Sequence, residues 1–203
     1  MDMKKAKKES STFTRDIEIN SIRKMEGEGN DRKFQLSFSS EEPYERYWGR
    51  EILDHATGAV DLTRLQEIGC VLFNHDRDVV IGKVVRVWLE NNRGYAEIEF
   101  DSDDESEKIY QKVENGTLKG VSVGYRVTVW EEVLDNKTSS DGRFRGPARI
   151  ARKWMPFEIS IVSVPADSTV GVGRELETEV PGQDRGNTLA MNERQLAVNK
   201  NYI

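Results

Sequence analysis

Gly120-Val-Ser-Val-Gly-Tyr-Arg-Val-Thr-Val-Trp-Glu131 decides the fold. Val121, Val123, Tyr125, Val127 and Val129 fall on alternate positions, the period of two that marks a strand with one apolar face. The opposite face begins with Ser122 and Gly124, residues small enough to let another chain come close. Segments on both sides follow the same period. Val79 to Leu89 alternates through Val79, Ile81, Val85, Val87 and Leu89. A turn at Asn91-Asn92-Arg93-Gly94 then returns the chain along Tyr95 to Phe100, which makes a hairpin. Phe34, Leu36 and Phe38 mark an earlier strand, a second extended stretch runs around Tyr44 to Ile52, and Cys70 to Phe73 is a short buried strand. Trp154 to Pro165 is the last strong strand.

Two helices interrupt this pattern. Asp61 to Gly69 carries Leu62, Leu65 and Ile68 on one face, with Asp61 as cap and Gly69 as stop. Ser102-Asp-Asp-Glu105 opens the second with a capping-box pattern, and Ile109, Val113 and Tyr110 supply its core face. The expected fold is therefore β-rich α+β: a mostly antiparallel barrel or sandwich with a few surrounding helices.

Apolar residues concentrate between about Phe34 and Pro165, so residues 15–167 are expected to form the folded domain. Residues 1–14 read as a disordered or edge arm and 168–203 as a flexible, polar tail. Asn136 to Arg145 reads as a mobile polar loop. Of the 203 residues, 36% are hydrophobic and 33% charged, enough for one core. The net charge of −6 gives no electrostatic reason for nucleic-acid binding, and the lysine run Lys4, Lys5, Lys7 and Lys8 reads as a solvated tail. The single cysteine, Cys70, excludes an intrachain disulfide and reads as a small core residue. No stretch is long and apolar enough to span a membrane, and the first residues lack the apolar segment of a signal peptide. The expected setting is a reducing cytoplasm, or a compartment assembled there.

A proton acceptor working near neutral pH must be one of two histidines or a carboxylate. His55 lies in the polar, turn-like stretch Asp54-His-Ala-Thr-Gly58. His75 follows a buried strand in Phe73-Asn-His-Asp-Arg77, where a base would be held by the scaffold yet open to a cleft. Ser122 projects from the face opposite the valines. It sits in no strand–turn–helix elbow, and alone it reads as one more strand serine. Glu158 lies in the apolar strand Pro156-Phe-Glu-Ile-Ser-Ile-Val-Ser-Val-Pro165, on the face of Ser160, Val162 and Val164. A carboxylate there needs a partner, which an arginine or a histidine could supply. Asp76, adjacent to His75, is the rival carboxylate. It reaches the imidazole only if the chain turns at that point, and Asp76-Arg77-Asp78 reads equally well as a solvated turn.

Taken together, Val71-Leu-Phe-Asn-His-Asp76 with Ile81-Gly-Lys-Val84, then Gly120 to Tyr125, then Trp154 to Asp167 resemble the prohead protease family of tailed phages. The three segments occur in the family's order and span roughly Arg46 to Asp167. The resemblance implies a fold akin to herpesvirus assemblin, a β-barrel wrapped by helices. It implies a serine endopeptidase acting in the host cytoplasm inside the assembling procapsid, where it cleaves scaffold, the major capsid protein and itself. The family's histidine falls on His75 and its serine on Ser122, and Glu158 is preferred to Asp76 as the third member. Capsid protein and scaffold are the implied partners, self-association is left open, and no metal, cofactor, nucleic acid or membrane is called for. The rival class is a non-enzymatic scaffold or virion structural protein on the same fold; a generic β-barrel binding module would leave the order of the segments unexplained.

Overall fold

The computed structural model of the protein describes residues 11–17 and 22–164. The tail read as flexible, 168–203, and residues 1–10 of the expected arm lie outside the described residues. The strands are β1 (Ser11–Ile17), β2 (Ile22–Lys24), β3 (Lys33–Ser40), β4 (Tyr44–Arg46), β5 (Gly49–Leu53), β6 (Cys70–Phe73), β7 (Asp76–Glu90), β8 (Arg93–Phe100), β9 (Gly120–Val133) and β10 (Ala148–Val162). Helix α1 (Thr63–Ile68) precedes β6, and α2 (Asp104–Glu114) follows β8.

The strands form one sheet in the order β1-β9-β10-β6-β7-β8-β3-β2, with the β4–β5 hairpin attached to β10 through β5. The pairing is mostly antiparallel, as expected, but the expected barrel needs correction. The sheet curls until β3 lies against β1 and β9, but the path between its ends is not hydrogen-bonded, so it stays open. It is also mixed: β10 runs parallel to β5 over Arg149–Ala151 and to β6 over Ile159–Ile161, and antiparallel to β9 along its whole length. β10 is thus the spine of the sheet. Pro156 is tolerated within it because the register slips beside it, between Pro156 and Glu158.

The hydrophobic periods largely reach the core. Phe34, Leu36 and Phe38 are buried, as are Val121, Val123, Tyr125 and Val127. Val129, expected on the same face, is exposed, because the β9–β10 register slips between Trp154 and Lys153. A bulge between Val84 and Arg86 likewise exchanges Val84 for Val85 on the buried face of β7. The stretch Tyr44 to Ile52 is a hairpin rather than one strand. α1 buries Leu65 but leaves Ile68 exposed, and Asp61 accepts a hydrogen bond from the Thr63 N–H at its start. In α2 the cap is Asp103, which accepts from the N–H groups of Glu105 and Ser106.

β1 starts at Ser11, so residues 11–14, assigned to the arm, form part of an edge strand. The loop read as mobile is tied down. Arg143 pairs with Glu41, Asp54 and Asp141, and Arg152 pairs with Asp54, Glu131 and Asp141. Among the described residues no helix is long and apolar enough to cross a membrane.

Candidate active site

β6 and β7 are joined by a two-residue turn. Phe73 pairs with Asp76, and Asn74 and His75 between them both have positive φ, 53° and 62°. A two-residue turn of this kind follows the twist of its strands, at the cost of the left-handed region for two non-glycine residues. β10 holds the turn. The Asn74 N–H donates to the Ile161 carbonyl at 2.9 Å, and the Asn74 amide oxygen accepts from the Ser163 N–H at 2.9 Å.

This turn projects His75 over the face where β9 and β10 carry their small and polar residues. Ser122 stands directly across from Ser160, and Gly124 across from Glu158. His75 Nε2 lies 2.8 Å from Ser122 Oγ, and His75 Nδ1 lies 2.7 Å from Glu158 Oε1. An ionised carboxylate can only accept. Nδ1–H therefore donates to Glu158, which leaves Nε2 as the acceptor for the Ser122 hydroxyl. Ser122 and Ser160 are fully buried, and Glu158 nearly so.

Ser160 is the residue that sequence reasoning missed. Its hydroxyl donates to Glu158 Oε2 at 2.7 Å and lies 3.3 Å from His75 Nδ1. Each carboxylate oxygen of Glu158 thus has a partner, which offsets the cost of burying it. The signal was present, since residues two apart on a strand share a face. Gly124 was expected to admit another chain; instead its missing side chain makes room for the Glu158 carboxylate.

Asp76 is elsewhere. It is exposed, and its carboxylate accepts from the Asp78 N–H at 3.0 Å. The chain turns one residue too early for it to face the imidazole. His55 forms a second serine–histidine pair of a different kind. Its Nδ1 lies 2.9 Å from the Leu53 carbonyl oxygen, its Nε2 lies 2.7 Å from Ser39 Oγ, and the ring packs edge-on against Trp154. Burial pushes the His55 pKa down to about 4, so the ring is neutral at ordinary pH. It is a core histidine whose ring nitrogens meet a hydroxyl and a carbonyl, and the nearby Asp54 charge does not offset its burial. Cys70 is half-buried and free, and burial raises its pKa. Among the described residues no cluster of histidine, cysteine and carboxylate groups could hold a metal ion.

The family described as Caudovirus prohead serine protease matches residues 28–180. The major capsid protein of Halomonas phage phiHAP-1 is 38% identical over 146 residues, which cover 70% of this chain and 23% of that protein. The chain therefore spans less than a quarter of that relative's length. Among solved structures, the capsid assembly protease gp21 of bacteriophage T4 is similar with a TM-score of 0.48 and 13% identity, over 77% of this chain and 99% of that one.

Proposed function

The chain belongs to the caudovirus prohead serine protease family, and we propose that it is a serine endopeptidase in which Ser122 is the nucleophile, His75 the general base and Glu158 the group that orients the base. The observation that carries this reading is the continuous hydrogen-bonded line from Ser122 Oγ through both ring nitrogens of His75 to Glu158.

A serine hydroxyl is a weak nucleophile until a base takes its proton. In this reading Ser122 Oγ attacks the carbonyl carbon of the scissile peptide bond while its proton passes to His75 Nε2. Glu158 holds Nδ1–H, fixes the tautomer and stabilises the imidazolium that forms. As the C–N bond breaks, His75 returns the proton to the departing amine. Water then attacks the ester on Ser122 and gives a proton to Nε2, and as the Ser122 C–O bond breaks His75 passes that proton to Oγ, which releases the acid and restores Ser122. Ser160 keeps the Glu158 carboxylate in the plane that Nδ1 requires.

The substrate assignment rests on the family and on the relative in which the matching segment forms part of a major capsid protein. Capsid protein, scaffold and the chain itself are the proposed substrates, inside the assembling procapsid, with residues 15–167 and the start of β1 as the protease unit. The rival reading, a virion structural protein whose protease site is not used, is not favoured by the family match. A fluorophosphonate probe separates the two. Labelling of the unaltered chain and none of the Ser122→Ala chain supports the peptidase, whereas a chain that neither reacts with the probe nor processes the matching capsid protein on co-expression supports the structural protein. Co-expression with the matching capsid protein and mass spectrometry of the fragments then locates the cleavage sites.

A further inference from the structure

β1 lies antiparallel to β9, with Thr14 opposite Gly124, Arg15 opposite Val123 and Asp16 opposite Ser122. β9 has β10 on its other side, so β1 alone occupies its outer edge. That edge passes the Ser122 hydroxyl. An extended peptide laid on it would gain main-chain hydrogen bonds along its length, the mode by which sheet edges bind peptides. β1 fills that place, and with β1 in place Ser122 is 0% exposed. The Ser122 hydroxyl has two acceptors in reach, His75 Nε2 at 2.8 Å and the Arg15 carbonyl oxygen at 3.1 Å. One proton serves one acceptor at a time, so a bond to Arg15 withholds it from His75.

The Arg15 side chain is 4% exposed, although arginine is almost never fully buried unless paired. It sits in a ready-made seat. One terminal nitrogen donates to the Glu42 carbonyl, the guanidinium lies 5.3 Å from the centre of the Tyr44 ring, and Glu51, which also pairs with Arg46, supplies negative charge. The fit is incomplete: Arg15 Nη1 and Glu51 Oε2 are both buried without a hydrogen-bond partner among the described residues. Unsatisfied buried groups weaken the hold of the seat on this occupant.

We propose that β1 is a built-in occupant of the peptide-binding edge of β9: substrates bind as extended segments antiparallel to β9, with a basic side chain in the Glu42–Tyr44–Glu51 seat, and β1 must leave before they enter. The proposal rests on the peptidase reading for its purpose, but its binding claim can be measured without catalysis. In the full chain carrying Ser122→Ala, a fluorescein-labelled heptapeptide with the sequence of residues 11–17 is titrated before and after Arg15→Glu, which unseats β1. Release of the edge should tighten binding about tenfold or more, since apparent affinity scales with the fraction of open sites. A peptide with glutamate in place of its arginine should not bind. Equal affinity for both chains, or binding indifferent to the arginine, overturns the proposal. Should Arg15→Glu not fold, hydrogen exchange on the Ser122→Ala chain with native β1 decides. Millimolar peptide should speed exchange of the β1 amides while those of β9 stay protected, and unchanged β1 protection overturns the proposal. Arginine-dependent binding by a chain whose Ser122 does not react with the fluorophosphonate even after Arg15→Glu has released β1 would sink the peptidase reading alone.

Discussion

Gly124 and Glu158 face each other across β9 and β10 so closely that a Cβ on Gly124 would lie 2.3 Å from Glu158 Oε1. That is well inside contact distance, and the same oxygen holds His75. Gly124→Ala should therefore push the carboxylate off the imidazole while the strand itself persists. The expected outcome is a folded protein with activity reduced to the level of a Glu158 variant. Circular dichroism checks the fold and peptide turnover the activity; full activity in Gly124→Ala would remove Glu158 from the mechanism.

Ser122→Ala should abolish capsid-protein processing, a loss on the order of 10⁴-fold or more, without unfolding the chain. His75→Ala should be as damaging. Because groups acting as a unit are not additive, the double variant should be no worse than either single one. Rates for the three variants on one capsid-derived peptide provide the check.

Glu158→Gln keeps the shape of the side chain but loses the charge that stabilises the imidazolium, so some activity should remain, unlike in Ser122→Ala. Ser160→Ala removes only the hydrogen bond to Glu158 Oε2 and should cost about tenfold in kcat, in line with one charge-assisted bond. A positioning role also predicts a displaced pH profile for kcat/KM. A Ser160→Ala chain with an unmoved profile and a full rate would make Ser160 a packing residue.

Loss of His55 should affect stability more than turnover. The ring is 6% exposed and holds Ser39. Removing it leaves a cavity and an unpaired buried hydroxyl, at a cost of roughly 2–4 kcal/mol. Its pKa falls from 6.5 to about 4 on folding, so between those values the unfolded chain binds more protons than the folded one. The stability associated with His55 is complete above pH 6.5 and is lost as the pH falls toward 4, a change on the order of 3 kcal/mol. Urea unfolding of the native chain should show this acid loss, and a His55→Gln chain should show much less of it.

The sequence by itself determined the strands, because a period of two in Val121 to Val127 and in Phe34 to Phe38 can be satisfied only by an extended chain with one buried face. It also determined that His75, Ser122 and Glu158 merited attention, through the residue types that proton transfer needs and the order of three short segments. Tertiary structure alone decided how these elements meet. The parallel seat of β10 against β5 and β6, and the open path of the sheet, depend on pairings between residues far apart in the chain, which no local period records. Bulges beside Val84 and Pro156 shifted which side chains face inward, since one inserted residue reverses every later position on a strand. Which of Asp76 and Glu158 lies against the His75 ring depended on where the chain reverses. Positive φ at Asn74 and His75 ends the turn before Asp76, and the cross-strand register sets Glu158 beside the ring from 83 residues away.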